Sequence, residues 1–190
     1  MRIKDGQVII FPTDTVYGMG AKVTDDAALE RMMHIKRRSA NKTFAVLCDS
    51  MAQIEELAYV DERARIIIDN FMPGALTLIL KSKLSHRNLA IKDTIGVRIP
   101  NHEFALKLLR ENGPLATTSV NISKEMPLND YESIAFRFND MVDYIYDDPC
   151  KKEYSNISST VVDLTKDEMV VLREGQIKID DIISILEKNV

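Results

Sequence analysis

The chain has 190 residues, 45% of them hydrophobic and 28% charged, which suffices for one globular domain with a substantial core. Its net charge of −4 excludes a protein that coats nucleic acid by phosphate neutralisation alone, so any basic site must be local. Cys48 and Cys150 stand far apart without metal-ligand or disulfide spacing, no run nears the about 18 apolar residues of a membrane span, and the amino terminus lacks an apolar signal region, so a soluble, cytoplasmic protein with no membrane partner is expected.

Residues 8–11, Val-Ile-Ile-Phe, predict a buried strand that ends at Pro12, because proline cannot donate to a ladder. Thr13, Asp14 and Thr15 follow at the strand end, where open α/β sheets usually place ligand groups. Gly18 and Gly20 then allow a turn or a close approach to a ligand. Thr24 is the expected N-cap of a helix with Asp25 and Asp26 in its first turn, and Ala28, Leu29, Met32 and Ile35 form its buried stripe. That helix ends in Lys36, Arg37 and Arg38. Cations there complement the helix dipole, or Lys36 and Arg38 converge on one anion with Lys42 from the loop that contains Asn41.

A strand over 44–47 is followed by helices begun by Ser50 and Asp61, and Met72-Pro73-Gly74 breaks the second of them. Residues 76–80 predict the next buried strand, with the Thr77 hydroxyl satisfied in the core. Residues 82–93 are polar and predict a surface excursion. Residues 94–99 return to strand, and Arg98 stands in it between Val97 and Ile99. Burying an arginine alone is prohibitive, so Arg98 must pair with an anionic ligand or with a buried carboxylate.

Asn101 is the expected cap of a helix over 103–111, which Asn112-Gly113-Pro114 stops. After Leu115-Ala116 come Thr117, Thr118, Ser119 and Asn121, a crowd of hydroxyls and an amide at a strand end. They serve turn chemistry, or they share a pocket with Thr13 and Thr15. A helix over 130–138, a short strand over 144–146, a polar segment over 151–157, a strand pair over 159–164 and 169–172 that delivers Ser159 and Arg173, and a closing helix over 180–188 complete the chain. This alternation predicts an α/β layered architecture, a mixed, twisted sheet flanked by helices in one domain over 1–190.

There is no G-x-x-x-x-G-K-[S/T], no G-x-G-x-x-G and no nucleophile elbow, and His34, His86 and His102 lack an i, i+4 ligand partner. Cations and hydroxyls on separate strand ends suit an anionic nucleotide bound beside a small polar substrate, with catalysis by placement and charge stabilisation.

The segment Pro12-Thr13-Asp14-Thr15-Val16-Tyr17-Gly18 resembles the opening motif of the YrdC/Sua5 family, the threonylcarbamoyl-AMP synthases. Five further segments resemble that family in the same order: Lys36-Arg37-Arg38 with Lys42, Pro73-Gly74-Ala75-Leu76-Thr77, Gly96-Val97-Arg98-Ile99-Pro100, Thr118-Ser119-Val120-Asn121, and Ser158-Ser159-Thr160-Val161-Val162-Asp163 followed by Arg173-Glu174-Gly175. The resemblance runs over residues 8–175 and is to the short, single-domain form with a YrdC-like fold. It implies that L-threonine, bicarbonate or CO2 and ATP yield threonylcarbamoyl-AMP and pyrophosphate, with Mg2+ held mainly by the ATP phosphates.

Carried over by motif, Lys36 and Arg38 are the catalytic cations and hold phosphates with Lys42, while Thr94, Ser119 and Arg173 complete the nucleotide site. Thr15, Arg98, Thr117 and Ser159 hold threonine, Arg98 by its carboxylate; Asn121 belongs to the same matched set with no assigned contact, and Asp14 is an outer-shell partner for the metal. The implied product goes to the tRNA threonylcarbamoyl transferase machinery for threonylcarbamoyladenosine modification, and weak tRNA binding is left open. Leu47 departs from the histidine of long relatives, and Lys124 and Pro127 depart from a common glycine and a nucleotide-contacting serine. Two other functions compete: a tRNA or double-stranded RNA-binding module in ribosome maturation, built on the basic residues of 31–42, and a related carbamoyl transfer as in hydrogenase-maturation proteins.

Overall fold

The computed structural model describes residues 1–39, 42–150 and 157–189; Asn41 and most of the polar segment expected over 151–157 lie outside them. Among the described residues the strands are β1 (Ile9–Phe11), β2 (Gly18–Lys22), β3 (Ala45–Leu47), β4 (Leu76–Lys81), β5 (Thr94–Arg98), β6 (Leu115–Ser119), β7 (Tyr144–Ile145), β8 (Thr160–Asp163) and β9 (Val170–Arg173). The helices are α1 (Asp26–Lys36), α2 (Met51–Leu57), α3 (Glu62–Phe71), α4 (Glu103–Asn112), α5 (Tyr131–Phe138) and α6 (Ile179–Lys188). The strands form one sheet in the order β7-β1-β2-β6-β3-β5-β4-β8-β9. It is mixed: β1–β7, β3–β5 and β4–β8 are parallel pairs, and the other neighbours are antiparallel.

Successive side chains of a strand point to opposite faces, so each strand divides its residues between two environments. On one face Val46, Leu78, Val97, Ala116 and Val162 join Leu29 and Met32 of α1, Ile54 of α2, Ile67 of α3, Phe138 of α5 and Ile182 of α6 in the main core. On the other, Ile9, Phe11, Leu47 and Leu115 pack against Ala105, Leu108 and Leu109 of α4. That second core ends where the intervening positions of β5, β4 and β8 become Thr94, Gly96, Arg98, Thr77, Ile79 and Val161, and there the face opens into a cavity.

Several boundaries differ from expectation. Asp25, not Thr24, caps α1, because its carboxylate accepts the Ala28 N–H at 3.0 Å. Asn101 does not cap α4; His102 occupies that position without a side-chain cap bond, its imidazole turned to Asp148. The excursion over 82–93 dips inward at Ala90 and Ile91, both fully buried and held by the Asn88 side-chain oxygen.

Residues 18–22 are the largest departure, because they form a central strand where Gly18 and Gly20 were expected to allow a turn or a close approach to a ligand. A Cβ on Gly20 would meet the Phe11 ring at 2.9 Å and the Ala116 carbonyl at 3.2 Å, and one on Gly18 would meet the Thr117 methyl at 2.8 Å. The missing side chains let Phe11 of β1 and Thr117 of β6, the strands on either side, lay their side chains across β2. Gly96 differs: its nearest such contact is 3.6 Å, to the Thr77 methyl. Gly20→Ala is therefore expected to cost about 1–3 kcal/mol by overpacking, and Gly96→Ala less than about 1 kcal/mol, a contrast readable in urea denaturation midpoints.

Candidate active site

The cavity has a volume of about 330 Å³, and its floor is the open part of the sheet face. Cross-strand neighbours tile that floor. Thr117 of β6 pairs with Ala45 of β3, Ala45 with Gly96 of β5, and Gly96 with Ile79 of β4, while Thr77 pairs with Val161 of β8 and Val161 with Arg173 of β9. Small residues at 45 and 96 keep the centre low. The rim comes from Thr13, Thr15, Thr43, Ser119, Ser158 and Ser159, with the guanidinium groups of Arg38, Arg98 and Arg173 around it.

Arg98 is tied at each donor direction. Its Nε donates to the Gly74 carbonyl at 2.9 Å, Nη1 to Thr15 Oγ1 at 3.0 Å, and Nη2 to Asp14 Oδ1 at 2.6 Å. The Arg98 and Asp14 side chains are only 8% and 12% exposed, so this is a buried pair in which each charge makes the other tolerable. Burial lowers the Arg98 pKa, Asp14 opposes that effect, and nearby Arg173 adds repulsion.

Arg38 reaches the rim from the loop after α1. It donates to the backbone carbonyls of Lys42 and Thr43 at 3.4 and 2.7 Å and to Thr118 Oγ1 at 3.3 Å, with its guanidinium 5.4 Å from the centre of the Phe44 ring. Arg173 donates to the Ser159 carbonyl at 2.9 Å and to Ser159 Oγ at 3.3 Å. Among the described residues neither Arg38 nor Arg173 has a carboxylate partner, and burial lowers the pKa of both. Two guanidinium groups held by neutral oxygens leave positive charge facing the cavity, which therefore favours an anion.

The structure brings Thr15, Arg38, Thr94, Arg98, Thr117, Ser119, Ser159 and Arg173 to this one cavity, together with Leu47. Lys36, Lys42 and Asn121 do not line it. Lys36 is buried, and its ammonium donates to the carbonyls of Ser119 and Asn121 and to Asn121 Oδ1. Asn121 Oδ1 also accepts the Ser119 hydroxyl at 2.7 Å, so the pair braces the wall behind Ser119. The Lys42 side chain is exposed. Asp14, expected beside a metal, is taken up by Arg98.

Thr77, expected to be a core residue, lines the cavity and shares a 2.9 Å hydrogen bond with Ser159 Oγ. Its signal lay in the neighbouring strand, where Thr94, Gly96 and Arg98 alternate with Ile95 and Val97 along β5 and mark a face that is not core. Thr77, Ile79 and Gly96 lie in mid-strand rather than at a strand end, which is why an argument from strand ends misses them.

The basic cluster over 31–42 does not form one surface. Arg31 pairs with Asp143 at 2.6 Å, Lys36 is buried, and Arg38 turns into the cavity. Among the described residues no helix is long and apolar enough to cross a membrane.

An α/β protein with a cleft on the uncovered part of its sheet, walled by hydroxyls and guanidinium groups, is the class that fold and cavity define. The chain belongs to the Sua5/YciO/YrdC family, whose model, described as "Telomere recombination", matches residues 1–175. A Methanocaldococcus jannaschii protein provisionally named threonylcarbamoyl-AMP synthase is 39% identical over 181 residues, 93% of this chain and 84% of its own length. The crystal structure of Pyrococcus abyssi Sua5 complexed with L-threonine superposes with a TM-score of 0.87 at 35% identity, over 95% of this chain. This chain spans about half of that longer protein, 54%. Escherichia coli YciO superposes with a TM-score of 0.81 at 32% identity, over 92% of this chain and 85% of its own.

Lys36 supplies a pH test of the braced wall. Burial, with a smaller contribution from Arg38, lowers its pKa from 10.5 to about 7. Between these values the unfolded chain holds a proton that the folded one has released, so unfolding takes up a proton and the Lys36 contribution to stability rises with pH. The unfolding free energy of the parent minus that of Lys36→Met is expected to be flat below pH 7 and to increase from pH 7 to 9 in urea titrations.

Proposed function

We propose that this protein is an L-threonylcarbamoyladenylate synthase acting in the cytosol. It joins L-threonine, bicarbonate or CO2, and ATP into threonylcarbamoyl-AMP, releases pyrophosphate, and passes its product to the transferase that modifies tRNA to threonylcarbamoyladenosine. The observation that carries this reading is the convergence of Arg38, Arg98 and Arg173 with a ring of hydroxyls on one cavity. Membership of a family that includes a Sua5 protein crystallised with L-threonine supports it.

In this reading the amino acid lies near Arg98, Thr15 and Ser159, its carboxylate on the guanidinium and its hydroxyl within reach of Thr and Ser oxygens. Arg98 is already oriented by Asp14, Thr15 and Gly74, so little side-chain entropy remains to be lost on binding. The triphosphate lies towards Arg38, with Arg173, Thr94 and Ser119 completing the nucleotide side. Loss of a proton from the threonine amine accompanies its bond to CO2. A carbamate oxygen then forms a bond to the α-phosphorus as the bond to pyrophosphate breaks. The protein supplies no nucleophile; the arginines hold the reactants in line and stabilise the charge that develops.

The cavity lining offers hydroxyls and no carboxylate among the described residues, which fits Mg2+ carried in on the triphosphate. Bound there, Mg2+ would neutralise phosphate charge.

Threonine- and bicarbonate-dependent release of pyrophosphate from ATP tests the proposal directly. Arg98→Ala is expected to raise the threonine KM about 10- to 150-fold with little change for ATP, and Arg38→Ala to do the reverse, from the loss of charged hydrogen bonds worth about 1.5–3 kcal/mol. Absence of turnover in the parent, with strong salt-sensitive RNA binding instead, would mark a binding module.

If the site bonds the threonine hydroxyl, valine should be used about 10⁴-fold less efficiently and serine only about 10- to 200-fold less. Equal kcat/KM for threonine and valine contradicts the assigned pocket.

A further inference from the structure

Away from the cavity, three chemically reactive side chains from distant parts of the sequence meet at the start of α4. We propose that His102, Asp148 and Cys150 form a zinc-binding site that joins the amino end of α4 to the chain following β7. Their ligand atoms all lie within 4.8 Å of one another. His102 Nε2 and Asp148 Oδ1 are 3.2 Å apart. Two such atoms bound tetrahedrally to zinc at about 2.0–2.1 Å stand about 3.3 Å apart, and a thiolate sulfur would lie about 3.6 Å from either.

The contact between imidazole and carboxylate is a hydrogen bond, and zinc would take the place of its shared proton between two atoms already near ligand spacing. The thiol, on an exposed side chain, completes the set. The Cys150 N–H donates to Asp148 Oδ1 at 2.8 Å, and this tight turn brings the sulfur back towards the carboxylate. His102 and Asp148 are both buried, at 1% and 4% exposure, so two of the three ligands are held by the fold before any ion arrives.

The donor set selects the ion. Nitrogen, oxygen and sulfur together suit Zn2+ and not the oxygen-seeking Mg2+ or Ca2+. Three protein ligands leave a fourth tetrahedral position for water. Sequence spacing gives no hint of this group, because His102 and Cys150 are separated by α4, β6, α5 and β7.

Its position gives it a role in the architecture of the cavity. His102 follows Arg98, which lines the cavity, with only Ile99, Pro100 and Asn101 between them. A zinc ion would fasten this cavity-forming segment to the chain that follows β7. This role stands independently of the reaction proposed above.

Cobalt substitution tests the site without any assay of turnover. Tag-free protein treated with chelator and titrated with Co2+ is expected to bind one equivalent with tetrahedral d–d absorption and a thiolate-to-cobalt charge-transfer band, both erased by Zn2+. Cys48 does not confuse the signal, since it is fully buried and burial raises its pKa. Cys150→Ser should abolish the charge-transfer band and weaken Zn2+ binding at least tenfold against a competing chromophoric chelator, and Asp148→Asn should weaken it too. Cys150 is exposed, so its serine variant should match the metal-free parent in melting temperature, while Zn2+ raises the melting temperature of the parent alone. No charge-transfer band in the parent, or Zn2+ binding of equal strength in parent and Cys150→Ser, overturns the proposal.

Discussion

The two faces of one sheet have opposite tasks, and the rest of the structure depends on that division. The alternation of a strand sends Val46, Leu78, Val97, Ala116 and Val162 into the main core and their neighbours to the opposite face. Where those neighbours are Ile9, Phe11, Leu47 and Leu115, α4 covers them. Where they are small, hydroxylated or charged, the face stays open and becomes the floor of the cavity. Stability and binding are thus coded in alternate residues of the same strands, and a shift of register by one residue would destroy both.

Charge inside the cavity is managed by neutral oxygens as much as by counter-ions. Arg98 is paired with the largely enclosed carboxylate of Asp14 and is fixed in orientation by it. Arg38 and Arg173 are instead held by backbone carbonyls and hydroxyls, which position a guanidinium without cancelling its charge. Lys36 follows the same pattern one layer back, with its ammonium enclosed by three oxygens behind Ser119. The result is a cleft preorganised for anions, with its lysine used as a brace and its arginines at the surface of the cavity.

Much of this was legible in the linear chain. The apolar runs at 8–11, 44–47 and 76–80, the helix starts at Ser50 and Asp61, the helix over 130–138 and the strand pair near the carboxyl end all correspond to elements found in the fold. Misreadings arose where a residue has two local meanings. Gly18 and Gly20 signal turns in isolation, yet here they are the gaps that let Phe11 and Thr117 pack across a central strand. Thr77 is buried with its hydroxyl satisfied, as expected, but its partner is Ser159 and it stands on the face that lines the cavity.

The sequence by itself determined which residue types are available for chemistry and the local periods that make each segment a helix or a strand, because propensity, capping and alternation act over a few residues. Only the tertiary structure decided the strand order, the burial of Lys36, the capture of Arg98 by Asp14 and the meeting of His102 with Asp148 and Cys150. Those outcomes are contacts between residues remote along the chain. They depend on which strands lie side by side and which face a helix leaves bare, and no short window of sequence contains that information.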